Sequence, residues 1–436
     1  MHLQALTLKN FRCFESIDIA FHPQLSILIG INGSGKTTIL EGAAIALSTL
    51  FTALDGPKGI GIEKEQVHLK AYTVGSTSDV QPQFPVEISA KAYVDGADIA
   101  WSRKLNTSKG QTTIKDASAL INIAKDYQNR LRKGDTSLVL PVLAYYGPAR
   151  LWDYHREKKT DISGINTRTN GYIDSLNGTA NIKLMLSWFA KMTVQKHQNQ
   201  ESGLGAVPEL DAVYSAMEKC YNLITDSNDS KVQYNISTND LDISYTDKYK
   251  QRMRIAINQL SDGYKSTLSL VADIAYRMAV LNPQLLGNVI NQTDGIVLID
   301  EVDMHLHPKC QWKIIAALQT IFPKVQFIAA THSPILIASC KNGQLIHVEK
   351  DEITYKTSSY GMEVNDVLCS TLHSKDIVDA VKEQLDAVYI LIENEKFDQA
   401  KSGIVALEQI LGDSHPELNK VKTAYEFEKA VAGYKS

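Results

Sequence analysis

The sequence predicts an α/β fold: a buried, largely parallel sheet carrying a phosphate-binding loop, an antiparallel β subdomain, a helical insertion and a helical C-terminal region. Three observations predict it. The apolar run Leu25–Ile29 ends in Gly30-Ile31-Asn32-Gly33-Ser34-Gly35-Lys36-Thr37-Thr38, after which Ile39, Ala43, Leu47 and Leu50 recur at helical spacing. Gly295–Ile299 is apolar on both sides, as strands of a parallel sheet are, and ends in Asp300-Glu301. A helical pattern over 309–322 leads to a third apolar run, 325–330, which ends in Thr331-His332-Ser333-Pro334 and completes a βαβ rhythm.

The remaining elements follow in order. Residues 3–9 and 16–21 alternate as two short strands around Asn10-Phe11-Arg12-Cys13-Phe14. Strands near 66–72, 84–94 and 98–105, broken by Pro and Gly, supply the antiparallel subdomain; 115–133 reads as helix and 138–146 as another apolar strand run. A polar stretch from about 153 to 170 contains the charge cluster His155-Arg156-Glu157-Lys158-Lys159, read as solvated. It opens a helical insertion over about 155–225, with helices near 181–199 and 208–225 and with Leu184, Trp188 and Met192 on one face of the first. Strands near 231–236, 240–246 and 252–257 precede a long helix with Leu268, Val271, Ala275 and Met278 on one face, stopped by Asn282-Pro283. The α/β region with its insertion is thus placed at 1–350, and 351–436 reads as almost wholly helical. No internal repeat and no sustained heptad is present, which excludes a long coiled-coil arm.

Composition bounds the function. At 436 residues the chain can hold two or three folding units, and 44% apolar with 22% charged residues is ordinary for a soluble globular protein. A net charge of −4 gives no global signature of nucleic-acid binding and leaves only a local basic face. The five cysteines (Cys13, Cys220, Cys310, Cys340, Cys369) are scattered without a C-x-x-C pair, so neither a disulfide framework nor a zinc ribbon is suggested. Met1-His2-Leu3-Gln4 opens a strand pattern rather than a signal peptide, and no run of 18 apolar residues occurs. A cytoplasmic protein without membrane attachment is expected.

Residues 30–37 fit G-x-x-x-x-G-K-[ST], a loop whose backbone N–H groups cradle phosphates at a helix N-terminus. The expected nucleotide contacts are Gly30, Asn32, Gly33, Ser34, Gly35, Lys36, Thr37 and Thr38. Lys36 reaches the β- and γ-phosphates, and the Thr37 hydroxyl ligates Mg²⁺. Asp300, at a strand end, is the second expected metal ligand, through water, and Glu301 the residue that orients or deprotonates the attacking water. His332, if neutral, can hydrogen-bond a γ-phosphate or that water. In Leu260-Ser261-Asp262-Gly263, Ser261 can cap the following helix and Gly263 can bring backbone N–H groups close to an anion.

The order of these motifs resembles the ABC-type ATPase heads of the SMC and RecF class. Asn10-Phe11-Arg12, Asp300-Glu301 followed by His305-Leu306-His307-Pro308, and Thr331-His332-Ser333-Pro334 are similar to its overcoming-lysogenization-defect-like branch. That resemblance implies ATP and Mg²⁺ as ligands, Arg12 near the nucleotide, and a homo-oligomer of at least two chains. Ser261 and Gly263 of one chain would complete the site of another; the usual second glycine of this signature is Asp262 here. It also places His305 and His307 in a loop that crosses the dimer interface rather than on a metal. The glutamine loop of the class is not identifiable, and a lid near Tyr145–Arg150 stands in for it.

Members of that branch with their own nuclease carry a TOPRIM domain after the histidine strand. Tyr389–Glu395 looks like its opening strand, yet Leu385, Val388 and Ile392 recur at helical spacing and no Asp-x-Asp pair lies within 393–436. The segments 361–368, 397–400 and 411–413 are similar to the PtuA family, the ATPases of Septu-type anti-phage defence. That resemblance implies an HNH nuclease partner of the PtuB kind, with DNA met through the complex and no nuclease activity in this chain. Ile404, Leu407 and Leu411, with Leu418 and Val421 beyond the Ser414-His415-Pro416 break, are suited either to docking such a partner or to packing as the end of the ATPase core. The alternatives are a RecF-like recombination or repair ATPase and a slow nucleotide-gated scaffold.

Overall fold

The computed structural model describes residues 1–74, 77–148, 167–179, 181–247, 249–350, 352–356, 359–370, 379–412 and 415–435. The charge cluster at 155–159, most of the polar stretch around it, the lid residues Ala149 and Arg150, and Ser414 lie outside them. The chain divides into two compact units, 1–364 and 365–436.

The first unit opens with β1 (His2–Phe11), β2 (Phe14–Ala20), β3 (Leu25–Ile29) and α1 (Lys36–Leu47). Four strands follow, β4 (Leu69–Val74), β5 (Thr77–Pro82), β6 (Val86–Val94) and β7 (Ala97–Leu105), then α2 (Ser118–Arg132) and β8 (Val142–Tyr146). Next come α3 (Ile182–Glu201), α4 (Pro208–Thr225), β9 (Lys231–Asn235), β10 (Asp240–Thr246), β11 (Arg252–Ala256) and α5 (Asp262–Leu281). The short α6 (Val289–Gln292), β12 (Gly295–Ile299), α7 (Pro308–Ile321), β13 (Val325–Ala330), α8 (Pro334–Ser339), β14 (Gln344–Glu349) and β15 (Glu352–Lys356) complete its regular elements.

Six strands form the central sheet in the order β15-β14-β3-β13-β12-β8, all parallel except the β14–β15 edge pair. Every residue of β3, β8, β12 and β13 is buried, which is why these strands read as apolar runs, broken by the buried Ser26 in β3 and Gln326 in β13. The antiparallel sheet β2-β1-β6-β7 buries one face only, and β6 accordingly alternates Val86, Ile88, Ala90, Ala92 and Val94 inward. β9–β11 form a separate three-stranded antiparallel sheet, and β4–β5 a two-stranded ribbon.

Three expectations are corrected. The region just past residue 350 is not helical: β15 pairs with β14 as a hairpin and forms the sheet edge. Its polar, half-exposed residues (Glu352-Ile353-Thr354-Tyr355-Lys356) suit an edge and hide the period that marks inner strands. On α3 the buried stripe is Met185, Phe189 and Thr193, one position past the expected Leu184, Trp188 and Met192. The helix is rotated because the Phe189 ring stacks on Tyr214 of α4 at 5.7 Å.

The third correction concerns the second unit, built from α9 (Val364–Ser370), α10 (Asp379–Glu393), α11 (Phe397–Leu411) and α12 (Pro416–Lys435). Ile404, Leu407, Leu418 and Val421 are buried among Leu385, Val388, Ile392, Ala400 and Tyr425, and Leu411 is partly buried against them. That face is consumed by internal packing of the three long helices and is not a free docking surface. Tyr389–Glu393 lies within α10, as the helical spacing predicts.

One buried ion pair ties the signature helix to the central sheet. Asp273 and Arg277, each 1% exposed, are joined at 2.7 Å within α5; the Tyr146 hydroxyl of β8 donates to Asp273, and Arg277 donates to the carbonyls of Gly171 and Ile173. Arg277→Leu leaves a buried, unpaired carboxylate and should lower unfolding free energy by about 3–5 kcal/mol in urea titrations, while Asp273→Leu/Arg277→Leu together should recover much of that loss.

Candidate functional site

The phosphate loop is shaped by residues that only glycine can replace. Gly35 has φ +101°, and a Cβ there would lie 2.2 Å from the Phe14 ring. The loop delivers Lys36 and Thr37 into the first turn of α1, where backbone N–H groups lack intrahelical partners. Lys36 is only 6% exposed; its Nζ donates to the carbonyls of Gly30 and Ile31 at 2.9 Å each and to Ser34 Oγ at 3.4 Å.

The strands beside β3 bring the other motifs to the same edge. Ile299 of β12 pairs with Ala329 of β13, and Ala329 with Ile27 of β3. Main-chain bonds hold the strand ends level: Asp300 N–H to Tyr146 O, Val302 N–H to Ala330 O, and Thr331 N–H to Leu28 O. Thr37 Oγ1 therefore donates to Asp300 Oδ2 at 2.6 Å, across 263 residues of sequence. Glu301 follows in a left-handed conformation, φ +47°, a strained turn that redirects the chain directly after the acid pair.

A cleft of about 740 Å³ opens over these groups, lined by Asn32, Gly33, Gly35, Lys36, Thr37 and Thr38, by Asp300, Glu301 and His332, and by Arg12, Cys13 and residues of 65–69. Burial lowers the Lys36 ammonium to a pKa of about 8, although Asp300, Glu301 and Asp303 all pull the other way. His332 is held below its ordinary value, first by burial and then by the Lys36 charge, so its ring is neutral at pH 7. Arg12 pairs with Glu41 Oε2 at 2.6 Å, and burial nonetheless raises the Glu41 carboxyl above its usual range.

Every expected loop residue lines the cleft except Gly30 and Ser34, which instead receive the Lys36 ammonium through a carbonyl and a hydroxyl. Ser261 and Gly263 do not line it in the single chain. Ser261 sits at the N-cap of α5 without a capping hydrogen bond and is exposed, so the expected side-chain cap is not formed. Gly263 is buried: a Cβ there would lie 2.5 Å from His305 O, so glycine permits α5 to touch the loop after Glu301. His305 and His307 are exposed, and His307 Nδ1 accepts from Lys309 N–H at the start of α7. Among the described residues, no group of three His, Cys, Asp or Glu is arranged to hold a metal.

The sequence reading missed two contributors. Glu41 had a signal, being the single acid in α1, which is otherwise apolar from Ile39 onward. Residues 65–69 had none, because an isolated bridge between Phe11 and Val67 brings them beside Arg12.

Chemically, the cleft offers a cationic loop, a hydroxyl–carboxylate pair of hard oxygens suited to Mg²⁺, a second carboxylate and a neutral imidazole. Above its pKa of about 8 the free lysine is neutral and must regain a proton to meet a phosphate. Affinity for a triphosphate should therefore fall about tenfold between about pH 7 and about pH 9, and Lys36→Arg, permanently charged, should flatten the profile in calorimetric titrations.

A family model described as an AAA domain matches residues 5–262. The chain is 26% identical over 437 residues to the Retron Vc95 probable ATPase of Vibrio cholerae serotype O1 biovar El Tor, covering 88% of this chain and 82% of that one. It is 25% identical over 358 residues to the Septu protein PtuA of Bacillus thuringiensis, covering 80% and 76%. Among solved structures, the SMC head domain from Thermotoga maritima aligns over 82% of this chain and 98% of that one, with a TM-score of 0.43 and 15% identity.

Proposed function

The chain belongs to the AAA domain family, and from that premise we propose that it binds Mg²⁺-ATP in the cleft over Lys36, hydrolyses it with Glu301, and serves as the ATP-controlled component of an anti-phage defence assembly. The observation that carries this is the 2.6 Å bond between Thr37 and Asp300, which joins the two motifs into one oxygen-lined site beside a buried lysine. Similarity to a retron ATPase and to PtuA supports the defence setting.

Each residue has a stated part. Lys36 leaves the carbonyls of Gly30 and Ile31 for the β- and γ-phosphates, and the first-turn N–H groups of α1 take the phosphate oxygens. Thr37 and Asp300 would hold Mg²⁺, which when bound neutralises charge on the phosphates. Glu301 orients and deprotonates the attacking water, and the neutral His332 hydrogen-bonds it or the γ-phosphate. Arg12, paired with Glu41, contributes from the lining of the same cleft. Ser261 and Gly263 lie outside the lining of this cleft in their own chain, which supports a homodimer in which each completes its neighbour's site.

The chain governs a nuclease of the HNH kind and does not itself cut nucleic acid, DNA being met through the complex; the acids at 300 and 301 are committed to the nucleotide. A slow nucleotide-gated scaffold is the second reading, favoured by the exposed acid Asp262 in the first turn of α5.

Lys36→Ala should abolish ATP binding in calorimetry, and Glu301→Gln should keep affinity while lowering turnover at least about a hundredfold and accumulating an ATP-dependent dimer in size-exclusion chromatography. Equal affinity in wild type and Lys36→Ala refutes the site. Purified chain incubated with plasmid, Mg²⁺ and Mn²⁺, with and without ATP, should leave the plasmid intact; cleavage that copurifies with the chain and is lost in a point variant of it overturns the division of labour.

A further inference from the structure

We propose that the segment 65–69 is a base-recognition wall that makes the cleft prefer adenine nucleotides, with Leu69 as the apolar platform and His68 as the residue that reads the exocyclic group. The proposal rests on the nucleotide reading of the cleft. With a triphosphate on the loop and its γ end toward Asp300, Glu301 and His332, the base is left to the side lined by Arg12, Cys13, Glu65, Val67, His68 and Leu69.

That wall is rigid. Arg12 N–H donates to Gln66 O at 2.7 Å, His68 N–H to Asn10 O at 2.9 Å, and Gln83 N–H to His68 O at 2.8 Å. Leu69 is 60% exposed yet lines the cleft, an apolar side chain left in water until a flat ring covers it. Among the described residues no Phe, Tyr or Trp lines the cleft, and Leu69 is the exposed apolar side chain on this wall, Val67 being buried.

His68 supplies direction. Its Nδ1 lies 2.8 Å from Arg12 O, and a carbonyl oxygen can only accept, so Nδ1 carries the proton. In the neutral ring Nε2 is then an acceptor. An acceptor on this wall pairs with the 6-amino group of adenine and opposes the 6-carbonyl of hypoxanthine or guanine, leaving two lone pairs face to face. Glu65, on the same rim, is likewise an acceptor and opposes a 6-carbonyl in the same sense, so the fixed tautomer of His68 supplies the share of the preference that its replacement removes.

The test titrates the full chain with the Mg²⁺ complexes of ATP, ITP and inorganic tripolyphosphate; ATP and ITP differ at purine position 6 and in the N1 proton that accompanies it. Wild type should bind ATP about tenfold more tightly than ITP, the value of one hydrogen bond gained and one acceptor left unpaired. His68→Phe should narrow the gap between the ATP and ITP affinities, and a gap left unchanged by it overturns the assignment to His68. Leu69→Ser should weaken both by about tenfold, the loss of one apolar side chain's burial, while tripolyphosphate binding holds at the wild-type value. Equal affinities for ATP and ITP in the wild type overturn the proposal even if His68→Phe misfolds. So does a Leu69→Ser variant that weakens tripolyphosphate in parallel. Failure of all three ligands to bind wild type removes the nucleotide reading itself.

Discussion

The level, parallel pairing of β3, β13 and β12 is the constraint on which the site depends. Ile27, Ala329 and Ile299 stand in register across three strands, so the chain leaves the sheet at one edge three times, at Gly30, Thr331 and Asp300. A hydroxyl and an ammonium from 36–37, two carboxylates from 300–301 and an imidazole from 332 are thereby gathered from three separate segments. A slip of one residue in β12 would turn Asp300 to the opposite face of the sheet and break its bond to Thr37. Burial on both faces prevents the slip, because all five residues of β12 are packed by neighbours.

Within that edge, desolvation outweighs charge pairing. Asp300, Glu301 and Asp303 surround Lys36, yet its pKa falls to about 8 rather than rising. A site poised in this way holds its cation weakly until phosphate oxygens arrive, and the same lysine helps keep His332 neutral. The pairing of Arg12 with Glu41 repeats the pattern, the carboxyl being raised by burial despite a guanidinium at 2.6 Å.

The signature helix is bound to this edge at two points. At its start, Gly263 lies against the His305 carbonyl in the loop after Glu301. Further along, the Asp273–Arg277 pair reaches Tyr146, the β8 residue whose carbonyl accepts from Asp300 N–H. Both ends of the acid loop are thus in mechanical contact with α5, while the Ser261 hydroxyl stays on the surface.

The sequence by itself determined the sheet's inner strands, the phosphate loop, the acid pair and the histidine strand. Each is a run of consecutive residues whose apolar burial and terminal chemistry are local properties, and the same holds for the helical spacing of Leu385, Val388 and Ile392. Tertiary structure decided whatever depends on which surfaces meet. It turned α3 by one position to stack Phe189 on Tyr214, and it made a sheet edge of 352–356, whose exposed residues carry no buried period. It spent the apolar face of α11 on α10 and α12 rather than on a partner. It also set 65–69 beside Arg12 through a single backbone bridge, a contact of two distant segments that no spacing within either of them encodes.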